Sequence, residues 1–400
     1  MASAACVRCL DSSIEMRHDH SVTHPAHRSS SWLEISRSAL GHNLLTLRSL
    51  IGPSVNLAPV VKADAYGHGM RLCSEVFVAQ GADLLCVNEL AEAERLADLP
   101  VPIYVVGPTF ADEADAIAAV GCQVVSSSLA HVDALARAGV AAGRSVGVHI
   151  KVETGTHRQG LPTTEARALA DHVLATPGVS LAGMATHLAD VEDETEHTFA
   201  RVQLDRFDAA VAGLPAGVLR HCAASAAHLL LPRSRYDMVR PGIAAYGLWP
   251  SVETRIASSL VHGEDAVVLQ PALTWKTRIS EIKTVPAGGY VGYGRTLRLP
   301  RESRIAIIPV GYWDGFDRAL SGRGSALVSE TRVPLAGRVC MNMSMLDITG
   351  VSAEVGDEVV LIGQQGDQRI TVEELAGWAD TINYEVVARL HPRLDRLPVT

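Results

Sequence analysis

The sequence predicts an α/β chain: a (β/α)8 TIM barrel followed by a mainly antiparallel β domain. Two textures carry that reading. From Trp32 to about Val261, short apolar runs alternate with amphipathic Ala/Leu/Glu/Arg-rich stretches, and eight such runs can be counted. That alternation is the signature of a parallel barrel of roughly 250 residues. Past residue 266 the runs alternate apolar with polar between Gly/Pro-rich turns, as antiparallel strands do. With 400 residues, 48% of them hydrophobic, the chain can fill a large barrel and a second domain.

Residues 1–30 are expected to be a disordered, His-rich leader. His18, His20, His24 and His27 lie among polar residues, with no apolar core of a secretory signal. Cys6-x-x-Cys9 ahead of them matches no tight zinc spacing. Residues 31–265 are assigned to the barrel and 266–400 to the β domain, although Ser31–Ser36 reads as a strand that could join the latter. The barrel strands are predicted at Leu57–Ala63, Leu84–Asn88, Pro102–Gly107, Gln123–Ser126, Val146–Val152, Leu181–His187, Leu219–Ala223 and Met238–Arg240. Helical patterns lie between them at Glu89–Leu99, Ala111–Ala119, Leu129–Ala138, Thr164–Leu174, Glu194–Leu214 and Ala226–Leu231. No G-x-G-x-x-G follows the first strand, which argues against a dinucleotide-binding open sheet. In the second domain, Ala272–Val285 alternates well, and short strands are expected at Ile305–Val310, Ser325–Val328, Val333–Ala336, Met343–Ile348 and Glu358–Ile362, with a single helix at Thr371–Ala379.

Composition narrows the function. A net charge of −9 with no basic block excludes nucleic acid and anionic membrane surfaces as natural partners. No apolar run approaches the ~18–20 residues of a membrane span. Seven scattered cysteines read as reduced, cytoplasmic usage rather than a disulfide framework.

The most informative stretch is Val60-Val-Lys-Ala-Asp-Ala-Tyr-Gly-His-Gly69. It places Lys62 at the end of an apolar strand, where a charged amine is costly unless neutralised or used. A desolvated lysine has a lowered pKa and forms Schiff bases with aldehydes. Functional groups of a barrel lie at the C-terminal ends of its strands. There Lys62 is joined by Lys151, His187, His221, Ser225 and Arg240. The barrel rule also places a phosphate site after the seventh and eighth strands. The Ser225 hydroxyl and the Gly242-Ile243 backbone suit it. Each piece alone has an ordinary reading, as a helix cap, a turn or a rim ion pair. Together, an amine and a phosphate cradle match a cofactor with an aldehyde and a phosphate, pyridoxal 5′-phosphate.

From Trp32 to Leu390 the chain resembles the alanine racemase family. The resemblance rests on Val60–Gly69, Lys151-Val-Glu-Thr-Gly-Thr-His-Arg158, Thr186-His187, Arg240-Pro-Gly-Ile-Ala-Ala-Tyr-Gly-Leu248, Gly292-Tyr-Gly-Arg295, Gly311-Tyr-Trp-Asp-Gly315, Gly337-Arg-Val-Cys-Met341 and Ile382-Asn-Tyr-Glu385. It implies that Lys62 holds the cofactor and shares acid/base work with Tyr293 of a second subunit, in a homodimer whose partners are small amino acids. It further implies phosphate contacts from Tyr66, Ser225, Gly242, Ile243 and Tyr384. Arg240 would face the pyridine nitrogen, with His187 hydrogen-bonded to it. Arg158 and Met341 would receive the substrate carboxylate. Lys151 resembles a lysine carbamylated in many members, and Tyr312, Arg318, Arg338 and Ile382 resemble the walls of an entry corridor. The chain departs from the family pattern at Ala224, Asn342 and Trp313. Those departures bear on substrate choice, with serine or a broader set as the alternative to alanine. A decarboxylase of the same plan would use a cysteine such as Cys340 as its second group. A simple pyridoxal-phosphate carrier would lack the β domain.

Overall fold

The computed structural model describes residues 30–193 and 196–400, so the leader expected over 1–30 lies, except for Ser30, outside the described residues. The chain opens with β1 (Ser31–Ser36) and then lays down eight barrel strands. These are β2 (Asn56–Leu57), β3 (Leu85–Val87), β4 (Ile103–Val105), β5 (Gln123–Ser126), β6 (Val146–Lys151), β7 (Val179–Ala185), β8 (Leu219–His221) and β9 (Met238–Val239). β3 to β8 form one parallel ladder in sequence order. β9 pairs in parallel with β2, and Val60 bridges to Cys86 beside it. The Arg240 N–H donates to the Ala223 carbonyl at 2.8 Å, tying β9 to β8 and closing the ring. Ala58, Cys86 and Met238 are fully buried within it, while Val148, Ile150, Met184 and Val239 are fully buried between the strands and the surrounding helices.

Several elements differ from the sequence expectation. Of the strand expected over Leu57–Ala63, only Asn56–Leu57 forms regular strand; backbone bonds to the neighbouring strands continue through Val61, and the left-handed turn then ends it before Ala63. The helix expected over Glu89–Leu99 spans only Leu90–Glu94. The one expected over Glu194–Leu214 spans Thr198–Val211, its predicted start lying outside the described residues. Helices Arg37–Ser49 and Val252–His262 were not expected; each is capped by a serine, Ser36 and Ser251 respectively. The second has an inverted pattern: Thr254 and Ser258 are buried while Val252, Ile256 and Leu260 are exposed. An apolar stripe therefore gave no indication of its packed face.

The second domain comprises β10 (Leu273–Arg278), β11 (Glu281–Val285), β12 (Tyr290–Val291), β13 (Leu297–Arg298), β14 (Ser303–Ile308), β15 (Ser325–Val328), β16 (Thr331–Pro334), β17 (Ser344–Asp347), β18 (Glu358–Gln365), β19 (Gln368–Ile370) and β20 (Asp395–Val399). The larger sheet runs β16-β15-β18-β10-β1-β20, and a smaller one runs β11-β14-β17. β1 lies antiparallel to β10 and parallel to β20, so the first described strand is part of this domain's sheet. The alternation over Ala272–Val285 is divided between two sheets. Besides the helix Val372–Ala379, a second short helix, Asn383–Ala388, docks on the barrel. A Cβ at Gly67 would lie 2.0 Å from the Val387 carbonyl oxygen, so only glycine permits this approach. Among the described residues no helix is long and apolar enough to cross a membrane.

Several buried histidines shape the acid stability of this fold. Burial pushes His149 and His228 down to about 3 and His68 to about 4. Their folded pKa values lie below the unfolded value of about 6.5, so the unfolded chain binds more protons as pH falls from 6.5 towards those values. Each group should then cost about 1.4 kcal/mol of stability per pH unit across that window. Melting temperature should fall steeply between pH 7 and pH 5, and His228→Gln, remote from the barrel mouth, should fall less. Identical pH profiles for the parent and His228→Gln would refute this account.

Candidate active site

The site begins where β2 ends. After Lys62 the backbone enters a left-handed turn, with φ of 53°, 53°, 55° and 53° at Ala63, Asp64, Ala65 and Tyr66. Left-handed backbone costs roughly 1–2 kcal/mol per non-glycine residue, so neighbours must hold this turn. The Asp64 Oδ1 atom accepts the Met70 N–H at 2.9 Å. The Glu92 Oε1 atom accepts the Ala63 N–H at 2.7 Å, and its Oε2 atom accepts the Asn88 N–H at 2.7 Å. The turn leaves Lys62 at the rim of a cavity of about 670 Å³ at the barrel mouth.

Most of the sequence-predicted residues meet in this cavity. Lys62, Tyr66, Lys151, Arg158, His187, Ser225, Arg240, Gly242, Ile243 and Tyr384 all line it. Tyr384 comes from the β domain of the same chain and donates to Glu192 at 2.9 Å. Burial, then Arg158, lower the pKa of Lys62, with Glu92 opposing. Burial, followed by Arg240, Arg158 and Lys62, lowers Lys151 to about 7, and its amine donates to the Gln159 Oε1 atom at 3.0 Å. Burial and the same cations push His187 down to about 3. The cavity therefore holds excess positive charge with one lining carboxylate, Glu192, among the described residues.

Arg240 corrects one expectation. Its guanidinium bonds to His221 Nδ1 and to the carbonyls of Thr186 and Cys222, and no bond joins it to His187. The neighbouring strand β8 offers it an acceptor nitrogen below the mouth, whereas His187 faces the cavity. The chain of bonds continues inward. His221 Nε2 meets His149 Nδ1 at 2.9 Å, and His149 Nε2 meets Gln123 Oε1 at 2.8 Å. An arginine can only donate, so each imidazole accepts at Nδ1 and donates at Nε2. Both are neutral in this chain, in accord with burial lowering the pKa of each.

Glu92, Glu192, Gln159 and His149 were missing from the sequence-derived site. His149 carried a signal, since it shares the inward face of an apolar strand with Lys151. Glu92 did not, being one of several acids between Glu89 and Glu94. Two predicted residues lie outside the cavity. Tyr293 is 74% exposed and Met341 is 54% exposed, with Tyr312, Trp313 and Ile382 also exposed.

The residues present fit pyridoxal phosphate. A lysine amine lies beside a cradle formed by Tyr66, Ser225, Gly242 and Ile243. The Ser225 Oγ atom accepts the Gly242 N–H at 2.9 Å and the Ala244 N–H at 3.3 Å, holding the loop in place. A Cβ at Gly242 would lie 2.3 Å from the Tyr66 hydroxyl oxygen, so any side chain there forces Tyr66 to move.

Comparison with known proteins agrees with this architecture. The family model described as the alanine racemase N-terminal domain matches residues 35–250, and that of the C-terminal domain matches residues 272–398. The chain belongs to the alanine racemase family. It is 40% identical over 385 residues to the alanine racemase of Desulfosudis oleivorans, covering 92% of this chain and 96% of that one. It matches the structure of the alanine racemase from D-cycloserine-producing Streptomyces lavendulae with a TM-score of 0.85 at 33% identity, covering 92% of this chain and 97% of that one. The alanine racemase of Bartonella henselae, solved with covalently bound pyridoxal phosphate, gives a TM-score of 0.81 at 26% identity over 93% of this chain and 100% of that one. The barrel and β domain are thus those of an alanine racemase, a family of pyridoxal-phosphate-dependent isomerases. Gly242→Ala should displace Tyr66 and weaken binding of pyridoxal phosphate by at least about tenfold, or about 1.4 kcal/mol, measured by fluorescence titration. Unchanged affinity would refute the cradle.

Proposed function

We propose that this chain interconverts L- and D-alanine in the cytoplasm as a homodimer, with pyridoxal 5′-phosphate held at Lys62. The observation that carries the reading is the convergence of the Lys62 amine with the Tyr66, Ser225, Gly242 and Tyr384 cradle in one cationic cavity. When bound, the cofactor supplies the electron sink that makes the substrate Cα–H acidic enough to ionise.

The chain's own residues supply the rest. Racemisation removes the α-proton from one face and returns it to the other, so it needs a base on each face. Burial, then Arg158, lower the pKa of Lys62, so its amine sheds its proton more readily than an ordinary lysine and can serve as the acceptor at Nζ. Tyr293 of a second subunit would give up its phenolic proton to the opposite face. Its exposure on the single chain agrees with burial against a partner. Arg240, permanently charged and tied to His221, presents donors without a transferable proton. Arg158, and Met341 of the second subunit, would receive the substrate carboxylate. Lys151, lowered to about 7, is partly neutral near neutrality and can add carbon dioxide to form a carbamate with release of a proton. That carbamate would anchor Arg158. Burial raises the thiol pKa of Cys340, which disfavours it as a rival second base.

Lys62→Ala should lose at least about a thousandfold in racemisation of L-alanine together with the visible absorbance of the bound cofactor; retention of both would overturn the assignment. Turnover of L-alanine should exceed that of L-serine and L-lysine, and a faster L-serine reaction would redirect the substrate reading. Activity per chain should fall on dilution as subunits separate, whereas constant activity of a monomer by light scattering would exclude a shared site.

A further inference from the structure

Glu92 belongs to no motif named above, yet it bonds both to the backbone of the Lys62 turn and to that of the neighbouring strand end. It lies on the short helix Leu90–Glu94 that follows β3 and is only 9% exposed. One carboxylate oxygen takes the N–H of Ala63, the first left-handed residue after Lys62. The other takes the N–H of Asn88, just past the end of β3. The neighbouring strand β3 is thereby joined to the peptide that aims the lysine. Both bonds are short and made by a charged acceptor, the stronger class of hydrogen bond.

The surroundings of Lys62 give this carboxylate a second consequence. Arg158 bears on the amine as a positive charge, while the Glu92 carboxylate acts in the opposite sense. Lys151 and Lys62 also repel one another across the cavity. We propose that Glu92 is a positioning residue for Lys62: it anchors the left-handed turn that presents the amine, and it sets the field in which the amine takes and releases the α-proton. This rests on the reading that Lys62 moves that proton.

The test uses the holoenzyme and its Glu92→Gln and Glu92→Asp variants beside Lys62→Ala. Glu92→Gln should lower kcat about tenfold to a hundredfold with KM changed less than about threefold, because a misplaced reacting group affects the chemical step more than binding. Removing the negative charge should also move the acidic limb of the kcat profile, which reports the substrate complex in which Lys62 is free to act, to lower pH by about half a unit or more. Glu92→Asp, which keeps the charge on a shorter arm, should return the limb to the parent position while kcat remains below the parent's. An unshifted limb in Glu92→Gln, or a limb shifted equally in Glu92→Asp, would overturn the proposal. Activity retained in Lys62→Ala would instead overturn the underlying reading, so the two failures are distinguishable.

Discussion

The constraint on which this site depends is the crowding of positive charge at the barrel mouth. Lys62, Lys151, Arg158 and Arg240 line one cavity, with Glu192 the lining carboxylate among the described residues. Like charges in a poorly solvated space disfavour one another's ionised forms. Burial first, and these like charges after it, push Lys151 down to about 7 and His187 to about 3. The arginines cannot yield, so their charge persists. A mouth of this kind favours anions. A phosphate at one end and an amino-acid carboxylate at the other would each relieve part of the repulsion that the fold has built in.

The buried imidazoles extend this logic below the mouth. Between Arg240 and Gln123, His221 and His149 form a chain in which each bond has one permitted direction, because the arginine only donates. The chain carries no net proton to give. It holds the guanidinium in place without neutralising it, which a carboxylate partner would do. The stacking of His149 on Tyr104, with ring centroids 4.0 Å apart, fixes the middle of the relay. This rigidity shares its origin with the acid sensitivity of the fold: neutral imidazoles packed where a charged one would be penalised.

Much of this was legible in the residues themselves, for reasons that also explain the failures. Barrel strands such as Val146–Lys151 were visible because short runs rich in β-branched residues recur between helical patterns. Lys62, Ser225 and Arg240 were visible because a barrel collects its chemistry at strand ends. The left-handed turn after Lys62 was not, since Ala63 and Ala65 have no intrinsic preference for positive φ and are held there by Glu92 and Asp64. The partner of Arg240 was misread because two histidines, His187 and His221, end adjacent strands, and only three dimensions show which one points inward. The helix Val252–His262 was missed because it buries Thr254 and Ser258 and exposes its apolar face.

The position of Tyr384 bears on how the site is completed. It reaches the cavity from the β domain of its own chain, through a helix that packs on the Lys62 turn at Gly67. The domain thus contributes to the cavity in cis. Its Gly292-Tyr-Gly294 turn cannot do the same for the reacting end, because Tyr293 lies exposed outside the cavity. A Cβ at Gly292 would lie 2.7 Å from Met345 Cε, and one at Gly294 would lie 2.9 Å from an Arg338 nitrogen, so the turn is closely packed on its own domain. A tyrosine held this firmly on an outer surface is poorly placed to swing into its own barrel and well placed to enter a second one. On the proposed reading, the two faces of the substrate therefore belong to different subunits. Each barrel would contribute its amine and its cationic field, and await a phenol from the partner.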